Sequence, residues 1–361
     1  MKVLINKMKV SAIQYKRNRF MWMGILVIVV LVVLVCWSGP APLTHSSGQG
    51  INTLGQVELG GIKQWISIRG NHVDNPILLF LHGGPGSANL SKLRNQCPEL
   101  EEHFIVINWD QRGAGKTFKF GTGGNNLSSE QLRQDTHQLV SYLRSRFGGR
   151  KVYLMGFSWG TTLGLWTVQE YPEDFYAFIS VSQEVNYAEG EKLSLSHVQQ
   201  VAHDTNNKQA IQELANIDPA YKMKDWYTQL MVERKWLLAF GGVYYKTTSQ
   251  NHEISMLLKA PEYSLVDFAF WPLGSSTSLQ KLWPELMRVN VLESVPRLDV
   301  PVYFLVGRHD FNAPFELTQA YYERLNAPHG KQIIWFEDSA HDIFFDQPKE
   351  LVNELINIKS R

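Results

Sequence analysis

Gly156-Phe157-Ser158-Trp159-Gly160 sets one serine between two glycines, after the apolar run Lys151 to Met155 and before a helix-like stretch from Thr161 to Tyr171. A serine on such a strand-to-helix turn holds its hydroxyl clear of the sheet, ready to attack a carbonyl. The turn leaves no room for flanking side chains, which calls for glycine at 156 and 160. A hydroxyl is a poor nucleophile at neutral pH, so it needs a histidine to take its proton and a carboxylate to hold that ring. Asp310 lies just past the run ending at Val306-Gly307, and His341 just past the run ending at Phe336. Both would project from the carboxyl ends of strands, where open sheets build their sites. Ser158, Asp310 and His341 are therefore the candidate catalytic residues, with His309, Asp338 and Asp342 as competing partners. Acyl transfer also needs donors for the oxyanion. The loop His82-Gly83-Gly84-Pro85-Gly86 and the residue after the serine supply two backbone N–H groups, those of Gly84 and Trp159.

The elements that must hold these residues are legible. Gln56 to Leu59 and Lys63 to Arg69 flank Gly60-Gly61 as a hairpin. Ile77 to Leu81, Phe104 to Ile107, Ala177 to Val181, Pro301 to Val306 and Lys331 to Phe336 are continuous apolar runs, the pattern of parallel strands covered on both faces. Ser129 to Phe147 carries an apolar stripe at helical spacing, with Ser128 and Gln131 as a capping box, and Phe315 to Leu325 is a second helix. Strand and helix alternate, so the sheet is mainly parallel. The alternation fails from about Gln183 to Leu298, where Trp226, Trp236, Trp271 and Trp283 join short amphipathic stretches and turn signals at Gly241-Gly242 and Pro272. That insertion reads as a mostly helical cap over the site.

With 361 residues, 44% of them hydrophobic, the chain can bury a sizeable interior, and disorder is excluded. Its net charge of +1 hides a split. Lys2, Lys7, Lys9, Lys16, Arg17 and Arg19 give the first 19 residues +6, which leaves 29 Lys and Arg against 34 Asp and Glu in the rest, a net of −5. An acidic body argues against a nucleic-acid partner. The stretch from Phe20 to Trp37 carries no charged side chain and would reach about 27 Å as a helix, enough to cross a bilayer. The cations before it predict a cytoplasmic N-terminus and an uncleaved signal anchor, with everything after Trp37 outside. Cys97 stands alone in the body and Cys36 falls in the anchor, so no intramolecular disulfide is available; both are read as packing residues. The predicted boundaries are a basic segment 1–19, a transmembrane anchor 20–37, a linker 38–55, a first core segment 56–182, a cap 183–298 and a second core segment 299–361.

Three motifs together, His82-Gly83-Gly84-Pro85-Gly86, Asp110-Gln111-Arg112-Gly113-Ala114-Gly115 and Gly156-Phe157-Ser158-Trp159-Gly160, resemble those of the prolyl iminopeptidase family of α/β-hydrolases. The resemblance covers residues 60–182 and returns at Gly307-Arg308-His309-Asp310 and Ser339-Ala340-His341. It implies an α/β-hydrolase fold and a metal-free Ser-His-Asp aminopeptidase without cofactor that releases an N-terminal residue, usually proline, from short peptides. It also implies cap carboxylates that grip the free amine. Glu184, Glu213, Glu233 and Glu262 are the candidates, with Glu184 and Glu233 placed first. Asp110 and Arg112 are expected to pair and to organise the loop behind the oxyanion donors. The same machinery could instead serve a small ester, amide or lactone, and a noncatalytic binding or signalling protein could keep the pocket.

Overall fold

The structure, a computed structural model, describes residues 23–24, 50–121 and 126–361. Apart from Met23 and Gly24, the predicted basic segment and anchor lie outside the described residues, as do Cys36 and most of the linker. Among the described residues no helix is long and apolar enough to cross a membrane.

An eight-stranded sheet in the order β1-β2-β4-β3-β5-β6-β7-β8 forms the centre. β1 (Ile51–Leu59) and β2 (Ile62–Gly70) form the predicted antiparallel hairpin, turning at Gly60 and Gly61, which have φ of +54° and +76°. β1 starts at Ile51 because residues 51–55 pair with Ile66 to Gly70, so the last five residues of the predicted linker belong to the sheet. β2 is antiparallel to β4 (Ile105–Asp110). β3 (Ile77–Leu81), β5 (Val152–Phe157), β6 (Phe175–Val181), β7 (Val302–Gly307) and β8 (Lys331–Phe336) run parallel to β4 and to one another. Every residue of β3 and β4 is buried, as strands covered on both faces require.

Two apolar clusters cover the two faces. Helices α1 (Lys92–Gln96), α2 (Leu100–His103), α3 (Ser129–Arg146) and α4 (Trp159–Glu170) follow the first strands. One cluster joins Leu79, Ile107 and Leu154 to Leu139 and Leu143 of α3; the other joins Leu78, Phe80 and Met155 to Leu93 of α1 and the C-terminal segment. The Ser128 hydroxyl caps α3 by accepting from the Gln131 N–H at 3.1 Å. The Gln131 side chain turns to Asp135 instead of back to Ser128, so half of the predicted capping box forms.

The insertion is helical: α5 (Tyr187–Asp204), α6 (Lys208–Leu214), α7 (Trp226–Ala239), α8 (Asn251–Lys259) and α9 (Leu265–Leu286). It carries a core of its own in which Trp226 and Trp283 stack at 5.0 Å beside Tyr221 and Trp236. Pro272 does not mark a turn; it lies inside α9, which starts at a full capping box made by Ser264 and Asp267. The tertiary seat of α9 outweighs the local signal, since Gly274 packs against the backbone of Gly113 and the Phe118 ring. The chain then returns through α10 (Val291–Ser294), β7, α11 (Phe315–Arg324), β8, α12 (Ile343–Asp346) and α13 (Pro348–Ser360).

Candidate active site

Ser158 occupies the turn between β5 and α4 with φ +53° and ψ −124°, a backbone conformation that costs a residue with a side chain about 1–3 kcal/mol. The turn leaves no space on either side. A Cβ at 156 would lie 2.4 Å from the carbonyl oxygen of Gly160, and one at 160 would lie 2.1 Å from that of Leu81. The sequence therefore needs glycine at both positions to bring β3, β5 and α4 this close. Trp159 opens α4, where a backbone N–H has no partner within the helix.

The loop after β3 lies beside the serine, with Gly83 next to the Ser158 Cβ and Gly84 lining the same cavity. His82 and Gln111 brace it. The Gln111 N–H donates to Nε2 of His82, whose Nδ1–H donates to the Gly83 carbonyl at 2.8 Å. Burial lowers the His82 pKa to about 4, so the ring stays neutral in this role. The Gln111 amide bonds the His82 carbonyl and accepts from the Trp159 indole, tying both oxyanion-side segments together. Asp110 and Arg112 do not pair with each other. Arg112 reaches back to Asp135 of α3 at 2.9 Å and to the hairpin turn, while Asp110 accepts from the Lys116 N–H and from the Tyr263 hydroxyl of the cap. Burial raises the Asp110 carboxyl to about 7.

Asp310, in the loop after β7, is fully buried and holds the His341 Nδ1 at 3.0 Å, while its Oδ1 accepts from the N–H groups of Asn312 and Ala313. The competing residues point elsewhere: His309 stacks on Tyr245, Asp338 faces Lys246, and Asp342 pairs with Lys92 at 2.7 Å. His341 and Ser158 line one cavity of about 400 Å³ between sheet and cap, and Phe157 packs on the imidazole with ring centres 5.0 Å apart. No hydrogen bond joins Ser158 to His341 among the described residues. Nε2 of His341 meets Nδ2 of Asn312 at 3.2 Å.

Of the cap carboxylates, Glu184 lines the same cavity as Ser158. Burial, with the nearby charges of Glu191 and Asp310, drives its pKa well above the usual carboxyl range. Glu233 sits behind the wall: it is fully buried, accepts from Ser194 at 2.6 Å and pairs with Arg234. Glu191 of α5, not singled out from the sequence, reaches the cavity in its place, with Oε1 on Arg234 and Oε2 buried without a partner. Its pKa is also raised, chiefly by burial. Glu213 is a surface residue paired with Lys235, and Glu262 clamps the cap to α1 through a two-pronged pair with Arg94. Cys97 packs in the core, and burial pushes its thiol to about 12. No cluster suited to a metal ion occurs among the described residues.

The sheet order, the serine turn at the end of β5 and the helical cap define an α/β-hydrolase. Residues 75–348 match the serine aminopeptidase S33 family, and the chain belongs to it. It is 31% identical over 307 residues to the "Probable aminopeptidase YbaC" of Bacillus subtilis strain 168, covering 85% of this chain and 96% of that protein. A proline iminopeptidase of Xylella fastidiosa strain 9a5c is 34% identical over 104 residues, 29% of this chain and 31% of its own. Among solved structures, a proline iminopeptidase-related protein of Thermus thermophilus superimposes with a TM-score of 0.61 at 18% identity, covering 86% of this chain and 98% of that one. At that identity the last likeness speaks for the fold alone.

Proposed function

We propose that the chain is an aminopeptidase of prolyl iminopeptidase type, which releases an N-terminal residue, often proline, from short peptides through an acyl-enzyme on Ser158. His341 takes the hydroxyl proton at Nε2 and later gives it to the leaving amine, and Asp310 stabilises the imidazolium. The N–H groups of Gly84 and Trp159 receive the charge on the carbonyl oxygen. Glu184, with Glu191 beside it in place of Glu233, receives the substrate ammonium. The observation that carries this reading is the meeting, in one cavity, of Ser158, the Asp310-held His341 and the carboxyls of Glu184 and Glu191. Apolar wall residues such as Leu230, Leu279 and Trp283 suit a small apolar first residue. Residues 20–37 would anchor this domain on the outer side of a membrane.

A panel of aminoacyl-arylamides, their N-blocked equivalents and p-nitrophenyl esters tests the substrate class. Free-amine arylamides should be cleaved and blocked ones left intact; equal rates on both would overturn the aminopeptidase reading in favour of an esterase or amidase. A fluorophosphonate should label Ser158, and Ser158→Ala should abolish labelling. A wild-type chain that takes no label would be a binding protein.

A further inference from the structure

The cavity holds a second polar group that the acyl-transfer chemistry leaves unused. Lys92 at the start of α1, Asn89 three residues before it and Asp342 next to His341 all line the cavity. Lys92 and Asp342 pair at 2.7 Å. The Lys92 ammonium also lies 5.1 Å from the centre of the Phe157 ring, and that ring packs on the His341 imidazole, so a single aromatic side chain links the pair to the base. Asn89 is 6% exposed and Asp342 4%, yet Nδ2 of the first and Oδ1 of the second are buried without a partner among the described residues. Asn89 cannot turn its other end to the cavity at no cost, because its Oδ1 accepts from both the N–H and the hydroxyl of Ser91, at 3.1 and 2.8 Å. The group thus presents one donor and one acceptor, each of which costs stability while unmet. Its charges cancel between Lys92 and Asp342. A neutral ligand with a carbonyl and an N–H side by side, a peptide group, answers both atoms. A carboxylate brings acceptors only, and it would face Asp342 and Glu253, which lines the same cavity.

We propose that Asn89 and Asp342, with Lys92 holding the Asp342 carboxylate in place, form a subsite for the leaving peptide, which selects substrates that continue past their second residue over dipeptides that end there. The proposal rests on the aminopeptidase reading above. With the substrate ammonium at Glu184 and Glu191 and its carbonyl on Ser158, the leaving portion starts at His341, which protonates its nitrogen. The next peptide group lies one residue further on, about 3.5 Å along the chain. There its carbonyl accepts from Nδ2 of Asn89 and its N–H donates to Oδ1 of Asp342. A dipeptide places its terminal carboxylate at the same point, against the charge of Asp342, and leaves Oδ1 without a donor. A site with buried polar atoms rejects a ligand that leaves them unpaired far more strongly than an apolar wall rejects a change of shape.

The test uses the full chain in detergent and three compounds that share the first residue favoured on the arylamide panel, followed by alanine closed as its methylamide, its methyl ester or its free acid. Release of the first residue is measured, and kcat/KM is compared within each protein. In the wild type the methylamide should lead the free acid about 100-fold and the methyl ester, which has an oxygen in place of the N–H, about tenfold. Asp342→Asn keeps the shape and an oxygen for Lys92 but removes the negative charge, so the lead of the methylamide over the acid should shrink at least tenfold. A free acid cleaved as well as the methylamide overturns the proposal, as does a methyl ester equal to the methylamide or a folded Asp342→Asn with the wild-type ratio. Should Asp342→Asn fail to fold, the wild-type comparison of methylamide, ester and acid decides alone. The two failures differ: cleavage of the free-amine arylamide with no discrimination among the three compounds sinks the subsite alone, whereas no release from any of them, arylamide included, sinks the aminopeptidase reading and the subsite with it.

Discussion

Asn312 occupies the one ring nitrogen of His341 that Asp310 leaves open. Since Asp310 fixes the proton on Nδ1, Nε2 presents a lone pair and the Asn312 amide must donate to it. Asn312→Ala removes that donor, and Asn312→Asp replaces it with an acceptor of the same shape that draws a proton onto the base. Steady-state kinetics on a free-amine arylamide should therefore show kcat unchanged or raised in Asn312→Ala, which frees the base, and falling about 100-fold in Asn312→Asp, with KM little changed. A side chain that merely filled space would give the opposite order, because Asp is the closer isostere. At this scale the sequence revealed residues whose position in a loop is itself the signal. Ser158, Asp310 and His341 each follow a readable strand, and the geometry brings the last two into contact. Glu191 and Asn312 carried no such mark. A helical carboxyl becomes part of a site only through the face its helix turns inward, which local spacing in the cap does not encode.

The elements around the site are locked to the cap at a few points, and each can be loosened. Gly86 has φ +93°, and a Cβ there would lie 2.8 Å from the Ser278 Cβ and 2.9 Å from the Ser275 Cα of α9. Gly86→Ala should therefore push α9 away from the oxyanion loop. Thermal unfolding should report a loss of about 2 kcal/mol and kinetics about a tenfold fall in kcat/KM. Asp110, at the end of β4, is tied to Tyr263 of the cap, and its carboxyl titrates at about 7 in the fold against the much lower value of an unfolded chain. The folded state thus holds a proton that the unfolded state has lost, so the contribution of Asp110 is intact at pH 4 and disappears as the pH rises through about 7. The gap in melting temperature between wild type and Asp110→Asn should accordingly narrow from pH 5 to pH 8. The core strands were legible because strands covered on both faces leave continuous apolar runs. The full length of α9 was not, since Pro272 signals a stop locally while contacts with Gly113 and Phe118 hold the helix together.

For the whole molecule, the division between a basic first segment and an acidic body gives a prediction about fractionation. The full chain should remain with membranes through an alkaline carbonate wash, and a chain starting at Gly50 should be released with its melting temperature unchanged. Release of the full chain would remove the anchor. The strand register adds a geometric consequence. β1 runs in the direction of β4, and Ile51 pairs with Gly70, level with the start of β4 and at the end of the sheet away from Ser158. The 13 residues from Ser38 to Gly50 span at most about 47 Å, while a body of this length is about 50 Å across. A segment of that reach cannot wrap half the circumference. If residues 20–37 are held in a membrane as proposed, that membrane would lie behind the domain, and the mouth of the cavity would open toward the surrounding fluid.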